Sequence, residues 1–470
     1  MFIEFNITPL KALQYKSNNK IEFLPSGKTS YAMRWELLNN AQHTIHIVTF
    51  SFMKDETTKK LFDLLKKKSK EGVKIRIIYD EIVNRTTFIG KWIKELSEYG
   101  IETFGYNSLK DGWQINFKKG KPFKQLILNV KLKLKQHFHE KYMIVDNAHL
   151  ILGGINWGDK YAFGGIRPKA WRDTDVYIKG DVVEDVQLQF IKDYEMQKMW
   201  SSIKFKSPHL KYTNFSRDYL DNYHNDEMHF MKYPEFFDKI NLSDKKHVGN
   251  TPIAYVAHKP YEENELRMTN LLLNKIRNAK VRIYWGCHGI RPPRIFAEYF
   301  AAAIKRGVKI VLITNSGKSS KTLMVNGLMG WMYWECTKHY RYLLENGIEI
   351  YEWQKPGAFH SKNLIIDHDF VSIGSFNIAN GSSFHHTESN VMIEDREFCD
   401  LVFNQFTLDL KECKKIELKT FKAPRADAFK RILHERNKLI DEELRTYSIR
   451  QDLNDGKYKQ FPLYEFIDIS

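Results

Sequence analysis

The chain has 470 residues, a pI near 9.3 and a formal net charge of +16, from 73 Lys and Arg against 57 Asp and Glu. This length suits two or three domains, and the charge favours an anionic partner: a phosphate-bearing substrate, nucleic acid or an acidic lipid surface. No run of about 18 apolar residues occurs, and the start is a poor signal peptide. We therefore expect no membrane-spanning helix, so that any membrane contact is peripheral. Four widely spaced cysteines argue against a disulfide framework and a cysteine zinc site.

Strands and helices alternate along the chain, and the two halves repeat the same order. The predicted strand–helix–strand units are 41–50, 58–70 and 72–80 in the first half, and 279–285, 294–306 and 307–314 in the second. Further along each half, a helix ends at Gly100 or Gly347 and leads into another strand. The strands are apolar throughout, as in buried sheets. The sequence therefore predicts an α/β protein of two tandem lobes with pseudo-twofold symmetry; a single large α/β sheet is the alternative.

Segments outside the repeat set the domain boundaries. We predict a first lobe at 1–200 with a Lys-rich insertion at 107–136, a connector at 201–250, a second lobe at 251–411 and a C-terminal helical extension at 412–470. Within the insertion, Lys131, Lys133 and Lys135 alternate with leucines. Such a segment suits an anionic bilayer or nucleic-acid phosphates, and it is equally typical of a solvated strand edge.

Each half carries the same spaced set of polar residues. The first copy is His139, Lys141, Asp146 and Asn156, and the second, which starts 360 − 139 = 221 positions later, is His360, Lys362, Asp367, Ser375 and Asn377. Residues two apart on a strand project from one face, so each His points together with its Lys. Each Asp stands at an odd offset from its His and should face the other side. We therefore expect these two members of the candidate catalytic motif to be structural supports.

These residue types suit attack on a phosphodiester. Lys, Asn and Ser donors stabilise the charge that builds on the phosphoryl oxygens without a metal. One imidazole can attack phosphorus while the other protonates the leaving oxygen. An acidic residue should hold the second nitrogen of each imidazole, and the candidates are Asp173 and Glu388. No spacing indicates a metal site, that of His385-His386 included. Three further histidines, His43, His46 and His288, are interpreted as strand or loop residues with no partner visible in the sequence.

The duplicated H-x-K-x4-D pattern resembles the signature of the phospholipase D superfamily. Within that superfamily, the chain is most similar to bacterial cardiolipin synthases. Runs such as Gly72-Val-Lys-Ile, Trp171-Arg-Asp-Thr and Tyr342-Leu-Leu-Glu agree in order and spacing, over roughly residues 20–200 and 255–415. The resemblance implies two phospholipase D-like lobes, each a β-α-β-α sandwich, with one active site between them. It also implies a reaction through a phosphohistidine, with no metal and no cofactor.

The resemblance further implies residue roles. His139 is the nucleophile and His360 the acid, or the reverse, and the lysines and asparagines of the two copies hold the phosphate. Glu388 stands eleven residues after Asn377, where the family has its histidine-orienting Glu. The chain departs from the family pattern between these two residues. Ala379, Gly381-Ser382 and His386 stand where the family usually has Asp, Arg-Ser and Asn.

The implied function is a peripheral phosphatidyltransferase at the cytoplasmic face of an anionic membrane, which makes cardiolipin from two phosphatidylglycerols. The alternatives are a hydrolytic phospholipase D that releases phosphatidic acid and a metal-independent nuclease or phosphodiesterase of the same superfamily. Nucleic acid is the weaker partner, since no dedicated nucleic-acid module is present, and no obligate protein partner is evident. The intact His, Lys and Asn of both halves argue against a catalytically silent binding protein.

Overall fold

The computed structural model describes residues 13–106, 136–202, 247–260, 266–317, 319 and 328–421. Over this part of the chain the strands form two mixed sheets, one of seven strands in the first half and one of eight in the second. Each sheet belongs to one lobe, so the prediction of two tandem α/β lobes is confirmed. A single continuous sheet is excluded for the same residues.

The first lobe contains seven strands and six helices among its described residues. In chain order they are β1 (Asn19–Leu24), α1 (Gly27–Asn40), β2 (Thr44–Thr49), α2 (Glu56–Lys70), β3 (Lys74–Asp80), α3 (Glu81–Thr86), α4 (Gly90–Leu96), β4 (Glu102–Tyr106), β5 (Tyr142–Val145), β6 (His149–Gly153), α5 (Asp159–Ala162), β7 (Asp175–Gly180) and α6 (Val182–Ser202). Asp55 caps the start of α2 by accepting the backbone N–H of Thr58.

The second lobe repeats this pattern. Its elements are β8 (Ile253–His258), α7 (Arg267–Asn278), β9 (Arg282–Gly286), α8 (Arg294–Lys305), β10 (Lys309–Asn315), α9 (Leu328–Glu345), β11 (Glu349–Trp353), β12 (Leu364–Ile366), β13 (Phe370–Gly374), β14 (Glu388–Glu394), α10 (Arg396–Lys411) and β15 (Cys413–Lys415). The chain enters β4 and β11 through Gly100 and Gly347, whose φ angles are 73° and 83°. Only glycine adopts such angles readily, which is why both positions end a helix.

Strand order is the same in the two sheets. The first runs β1-β7-β6-β5-β2-β3-β4, and the second, read from the matching edge, runs β8-β14-β13-β12-β9-β10-β11-β15. In each sheet, three consecutive strands are parallel (β2-β3-β4 and β9-β10-β11), and the pairs toward the β1 or β8 edge are antiparallel. The two lobes are thus structural repeats, and β15 is an addition to the second.

Three apolar cores hold the molecule together. One lies under the outer helices of each lobe, and the third lies between the two sheets, where it also takes in α6 and α10. Strand β5 contributes to two of them: Met143 and Val145 belong to the outer core of the first lobe, and Tyr142 and Ile144 to the shared one. Burial of both faces explains why these strands are apolar throughout rather than alternating.

Buried ion pairs join the lobes beside the shared core. Arg172, just before β7, makes two hydrogen bonds of 2.8 and 2.7 Å to the carboxylate of Asp409 in α10. Lys259, just after β8, binds Glu140 and, at 2.9 Å, Asp193 in α6. Removing one partner of such a buried pair costs about 3–5 kcal/mol because a charge is left without compensation. These pairs therefore favour a fixed arrangement of the two lobes.

Several predicted segments lie wholly or partly outside the described residues. The Lys-rich segment 107–135, most of the connector and residues 422–470 of the predicted C-terminal helical extension lie outside them. The described part of the C-terminal extension differs from the expected helix, since Cys413–Lys415 pair with β11. All four cysteines are free, as the sequence predicts. Along the described residues, none of the helices combines the length and apolar character that crossing a membrane requires.

Candidate active site

The first imidazole, that of His139, lies on the segment that leads into β5. The segment pairs with the second lobe: the His139 N–H donates to the Thr387 carbonyl at 3.1 Å, and the Thr387 N–H donates to the His137 carbonyl at 2.9 Å. This pairing brings Glu388 alongside, with its carboxylate oxygens 2.9 and 3.0 Å from His139 Nδ1. A carboxylate of the second lobe therefore orients the imidazole of the first.

The second imidazole, that of His360, has the same arrangement with the lobes exchanged. The Arg172 N–H donates to the Ala358 carbonyl at 2.8 Å, and the His360 N–H donates to the Arg172 carbonyl at 2.7 Å. Asp173 follows, and its Oδ2 lies 2.6 Å from His360 Nδ1. The sequence names Asp173 and Glu388 as candidates without assigning a histidine to either. In the structure, each acid reaches the histidine of the opposite lobe.

The two lysines of the motif are buried beside their histidines. Lys141 Nζ donates to the carbonyl of His139, and Lys362 Nζ donates to the carbonyl of His360 and lies 2.9 Å from its Nδ1. Burial, and next the charge of Lys362, lower the pKa of Lys141 to about 7. The charge of each lysine also lowers the pKa of the opposite lobe's imidazole. The two halves of the motif therefore form one electrostatic site.

Burial controls the protonation of the histidines and their acids. It lowers the pKa of His139 and of His360 well below the usual value, and the lysines lower both further. It raises the pKa of Glu388 to about 8 and that of Asp173 to about 6. At neutral pH the two rings are therefore uncharged, and where the acid is ionised, a ring proton held at Nδ1 leaves the Nε2 lone pair available. A bound anion would offset the lysine charges and raise the pKa of both rings.

Asn156 and Asn377 occupy equivalent turns, after β6 and β13. The Asn156 side chain is held on both sides, since its Oδ1 accepts the Ser51 N–H at 3.1 Å and its Nδ2 donates to the Tyr161 hydroxyl at 2.9 Å. The Tyr161 ring in turn lies 5.5 Å from that of His360. Asn156 thus reaches the site through Tyr161, in addition to any direct contact with a bound phosphate.

In the second lobe, the Ser375 side chain contacts Glu388. The hydroxyl groups of Ser375 and Ser382 hydrogen-bond the Glu388 carboxylate, and this lowers its pKa in opposition to burial. Asn377 accepts a long contact of 3.5 Å from the Cys287 thiol at its Oδ1. Its side chain is only partly buried, so of these residues it is the most accessible to a ligand.

Asp146 and Asp367 lie outside the site, and their place in the candidate catalytic group is corrected. Both adopt a left-handed conformation, with φ of 52° and 55°, in the turns after β5 and β12. Asp146 accepts the backbone N–H groups of residues 42–44, and Asp367 those of residues 280–282. At about 3.3 Å per residue, each lies about 20 Å along the chain from its histidine. Their role is to fix the turn to the start of the neighbouring strand.

Two further histidines lie against the imidazoles, and neither is identified by the sequence. The His386 ring lies 5.5 Å from that of His139, and the His288 ring lies 4.9 Å from that of His360. The expectation that His288 has no partner is therefore wrong. The signal for His386 is its place two residues before Glu388, which matches that of Trp171 before Asp173. His46, by contrast, is a core residue, stacked on Phe190 and bonded to Gln187.

One set of side chains near the site has the donor types that bind a metal ion. Within the described residues, His139, His386 and Glu388 each offer a ligand atom, and these atoms lie within 4.8 Å of one another. Spacing in the sequence does not reveal the set, because its members come from both lobes.

The arrangement supplies the groups that substitution at phosphorus needs. Each imidazole has an acidic side chain at Nδ1 that stabilises the charged ring, so that one ring can act as the nucleophile and the other, once protonated, as the acid. Two ammonium groups beside them can neutralise phosphoryl oxygens in a site largely removed from water. Since all of these groups come from both lobes, they meet only where the lobes pack together.

Comparison with known proteins agrees with this architecture. The family model described as "Cardiolipin synthase, PLD-like domain" matches residues 35–193 and 272–410. The chain is 25% identical to cardiolipin synthase 1 of Staphylococcus epidermidis over 417 residues, which cover 88% of this chain and 72% of that protein. It is 26% identical to the major cardiolipin synthase of Bacillus subtilis over 406 residues, with 85% and 71% covered.

Among solved structures, the phosphatidylserine synthase of Haemophilus influenzae matches with a TM-score of 0.62 at 12% identity, over 92% of this chain and 96% of that one. This likeness shows a shared two-lobed fold. The family match covers both lobes and includes both copies of the motif. The chain therefore belongs to the cardiolipin synthase family of phospholipase D-like proteins.

Proposed function

We propose that the chain is a phosphatidyltransferase that makes cardiolipin from two phosphatidylglycerol molecules through a phosphohistidine. One observation carries the proposal: two imidazoles, each oriented by a carboxylate of the opposite lobe, share a site with two buried lysines. The family membership and the names of the relatives support phosphatidylglycerol as the donor and acceptor.

In the first step, Nε2 of His139 attacks the phosphorus of one phosphatidylglycerol. The P–N bond forms as the P–O bond to the glycerol headgroup breaks, and Nε2–H of His360 gives its proton to the departing oxygen. Glu388 stabilises the charge that develops on His139, since its carboxylate accepts from Nδ1. The lysines bind the phosphoryl oxygens throughout. The exchange of roles between the two histidines gives the same products.

In the second step, the headgroup hydroxyl of another phosphatidylglycerol gives its proton to Nε2 of His360 and attacks phosphorus. The P–N bond breaks, cardiolipin leaves, and both histidines return to their starting state. Water in place of that hydroxyl would give phosphatidic acid instead. Because both lipids reside in a bilayer, we propose that the protein works at an anionic membrane surface on its cytoplasmic side, and that the Lys-rich segment 107–136 binds this surface.

The test is incubation of the full chain with phosphatidylglycerol vesicles, followed by lipid mass spectrometry. We expect cardiolipin and glycerol in equal amounts, and loss of both products in His139→Ala and His360→Ala. His43→Ala is the matched control, because that histidine is exposed and lies beside Asp146 at the far end of the first sheet. Phosphatidic acid as the main product would replace transfer with hydrolysis. Turnover retained in either active-site variant would refute the two-histidine mechanism.

A further inference from the structure

The ring of His386 has no role in the proposed reaction, yet it lies at the site. Its Nδ1 is buried and has no hydrogen-bond partner among the described residues. The same atom lies 3.8 Å from Glu388 Oε1, which is beyond hydrogen-bonding distance. A buried ring nitrogen left unpaired in this way is unfavourable. The arrangement therefore leaves an unused ligand atom directed at the carboxylate that orients His139.

We propose that His139, His386 and Glu388 bind a single Zn²⁺ ion, and that the bound ion blocks the reaction. The inhibition rests on the proposed function, whereas the binding itself does not. Two imidazole nitrogens and a carboxylate oxygen are ligand types that zinc commonly takes, with a water in the fourth position. The ion would withdraw both His139 and its orienting acid from the chemistry at phosphorus.

The distances suit an ion of this size after small movements. Tetrahedral zinc with bonds of about 2.0–2.1 Å places its ligand atoms about 3.3 Å apart. Nδ1 of His139 lies 2.9 Å from Glu388, and Nδ1 of His386 lies 3.8 Å from it. One ligand atom from each of the three residues already lies within 4.8 Å of the other two. Closure therefore requires a shift of the partly exposed His386 ring and no change in the fold.

The neighbouring charges give the site its selectivity. Lys141 acts on Glu388 and on His139, and it repels any cation. Hard ions such as Mg²⁺ bind mainly through oxygen and keep much of their hydration, so one carboxylate beside an ammonium group does not hold them. Zinc binds the two ring nitrogens as well. We therefore expect zinc to bind and Mg²⁺ not to bind.

The pseudo-symmetry of the molecule provides an internal comparison. His386 stands two residues before Glu388, and Trp171 stands two residues before Asp173. The Trp171 ring packs 5.2 Å from that of His360 and supplies no such ligand. Of the two His–acid pairs, only that of His139 and Glu388 belongs to a cluster of three ligands among the described residues.

The experiment measures zinc binding and turnover separately on the full chain. After treatment with EDTA, calorimetric titration with Zn²⁺ in the absence of lipid should show one ion per chain. His386→Asn should weaken this binding by at least about 100-fold, which exceeds the loss from removing an outer partner of a metal ligand, while His385→Asn should not. With phosphatidylglycerol vesicles, Zn²⁺ should stop turnover of the parent chain, EDTA should restore it, and Mg²⁺ should have no effect. The rate of His386→Asn should be the same with Zn²⁺ as with EDTA.

Absence of binding, or binding that survives His386→Asn, would overturn the site. Zinc bound through His386 with turnover unchanged would overturn its inhibitory role. Because the titration uses no lipid, a failure of phosphatidyl transfer leaves the binding result intact, and the two proposals fail separately.

Discussion

Replacing Glu388 by glutamine tests the contact between the lobes on which the proposed chemistry depends. The substitution preserves the size and the burial of the side chain and removes its negative charge. The amide can donate a hydrogen bond to Nδ1 of His139, which moves the ring proton to Nε2. A ring in that state cannot attack phosphorus, because its nucleophilic lone pair is occupied.

The expected loss follows from the distance of 2.9 Å between Glu388 and Nδ1 of His139. Opposite unit charges at that separation attract by about 5.5 kcal/mol at an effective dielectric of ~20. A charge-assisted hydrogen bond contributes about 1.5–3 kcal/mol net, and an acid-to-amide change in a Ser-His-Asp triad lowers kcat by about 10⁴. We therefore expect kcat to fall between about 10² and 10⁴-fold, which corresponds to about 2.7–5.5 kcal/mol.

The assay is the initial rate of cardiolipin formation from phosphatidylglycerol vesicles. Glu394→Gln is the matched control, since it makes the same chemical change at the opposite, exposed end of β14. Unfolding of both variants by urea would verify that the fold persists. A kcat for Glu388→Gln above about one tenth of the parent value, a loss of less than about 1.4 kcal/mol, would refute the role assigned to this contact.

Two further predictions concern Lys141, which is proposed to bind the phosphate, and the pair formed by His360 and Asp173. The pKa of Lys141 is lowered to about 7, so its ammonium group loses its proton as pH rises through that value, and kcat/KM should decline above it. In Lys141→Met, kcat/KM should be at least about 10²-fold lower, and this decline should be absent. An unchanged pH profile in that variant would contradict the assignment. A Cβ at Gly154 would stand 2.2 Å from Asp173 Oδ1, whereas one at Gly90 meets nothing within 4 Å. Gly154→Ala should therefore displace the acid of His360 and lower kcat by at least about 10²-fold, with Gly90→Ala as the control; equal rates in the two variants would exclude the displacement.

Much of the fold could be predicted from the sequence because its signals are local. Apolar strands, helices ended by Gly100 and Gly347, and the repeated order of both define two lobes without knowledge of their contacts. The odd offset of Asp146 and Asp367 likewise predicts that they face away from the histidines. The short strand at Cys413–Lys415 could not be predicted, since three residues that pair with the edge of β11 carry no local strand signal.

The crossing of the acids could not be predicted, because it depends on which backbone segments of the two lobes pair. In the sequence, Asp173 follows His139 in the first half and Glu388 follows His360 in the second. No local pattern indicates that each acid contacts the histidine of the other half. The same limit applies to His288 and His386, which are near the imidazoles only after the lobes pack. Contacts between side chains 187 and 249 positions apart have no periodic signature in the sequence.

Each lobe supplies the carboxylate that orients the histidine of the other lobe, and this arrangement suggests how such a molecule could arise. A dimer of identical single-motif subunits with a twofold axis through the cleft would show the same reciprocal contact, with each subunit completing its partner. Fusion of two copies into one polypeptide preserves that mutual dependence, and the two halves no longer have to be identical in sequence. Here one side has aspartate beside a tryptophan, and the other has glutamate beside an additional imidazole. Neither half, expressed by itself, would contain a finished catalytic pair.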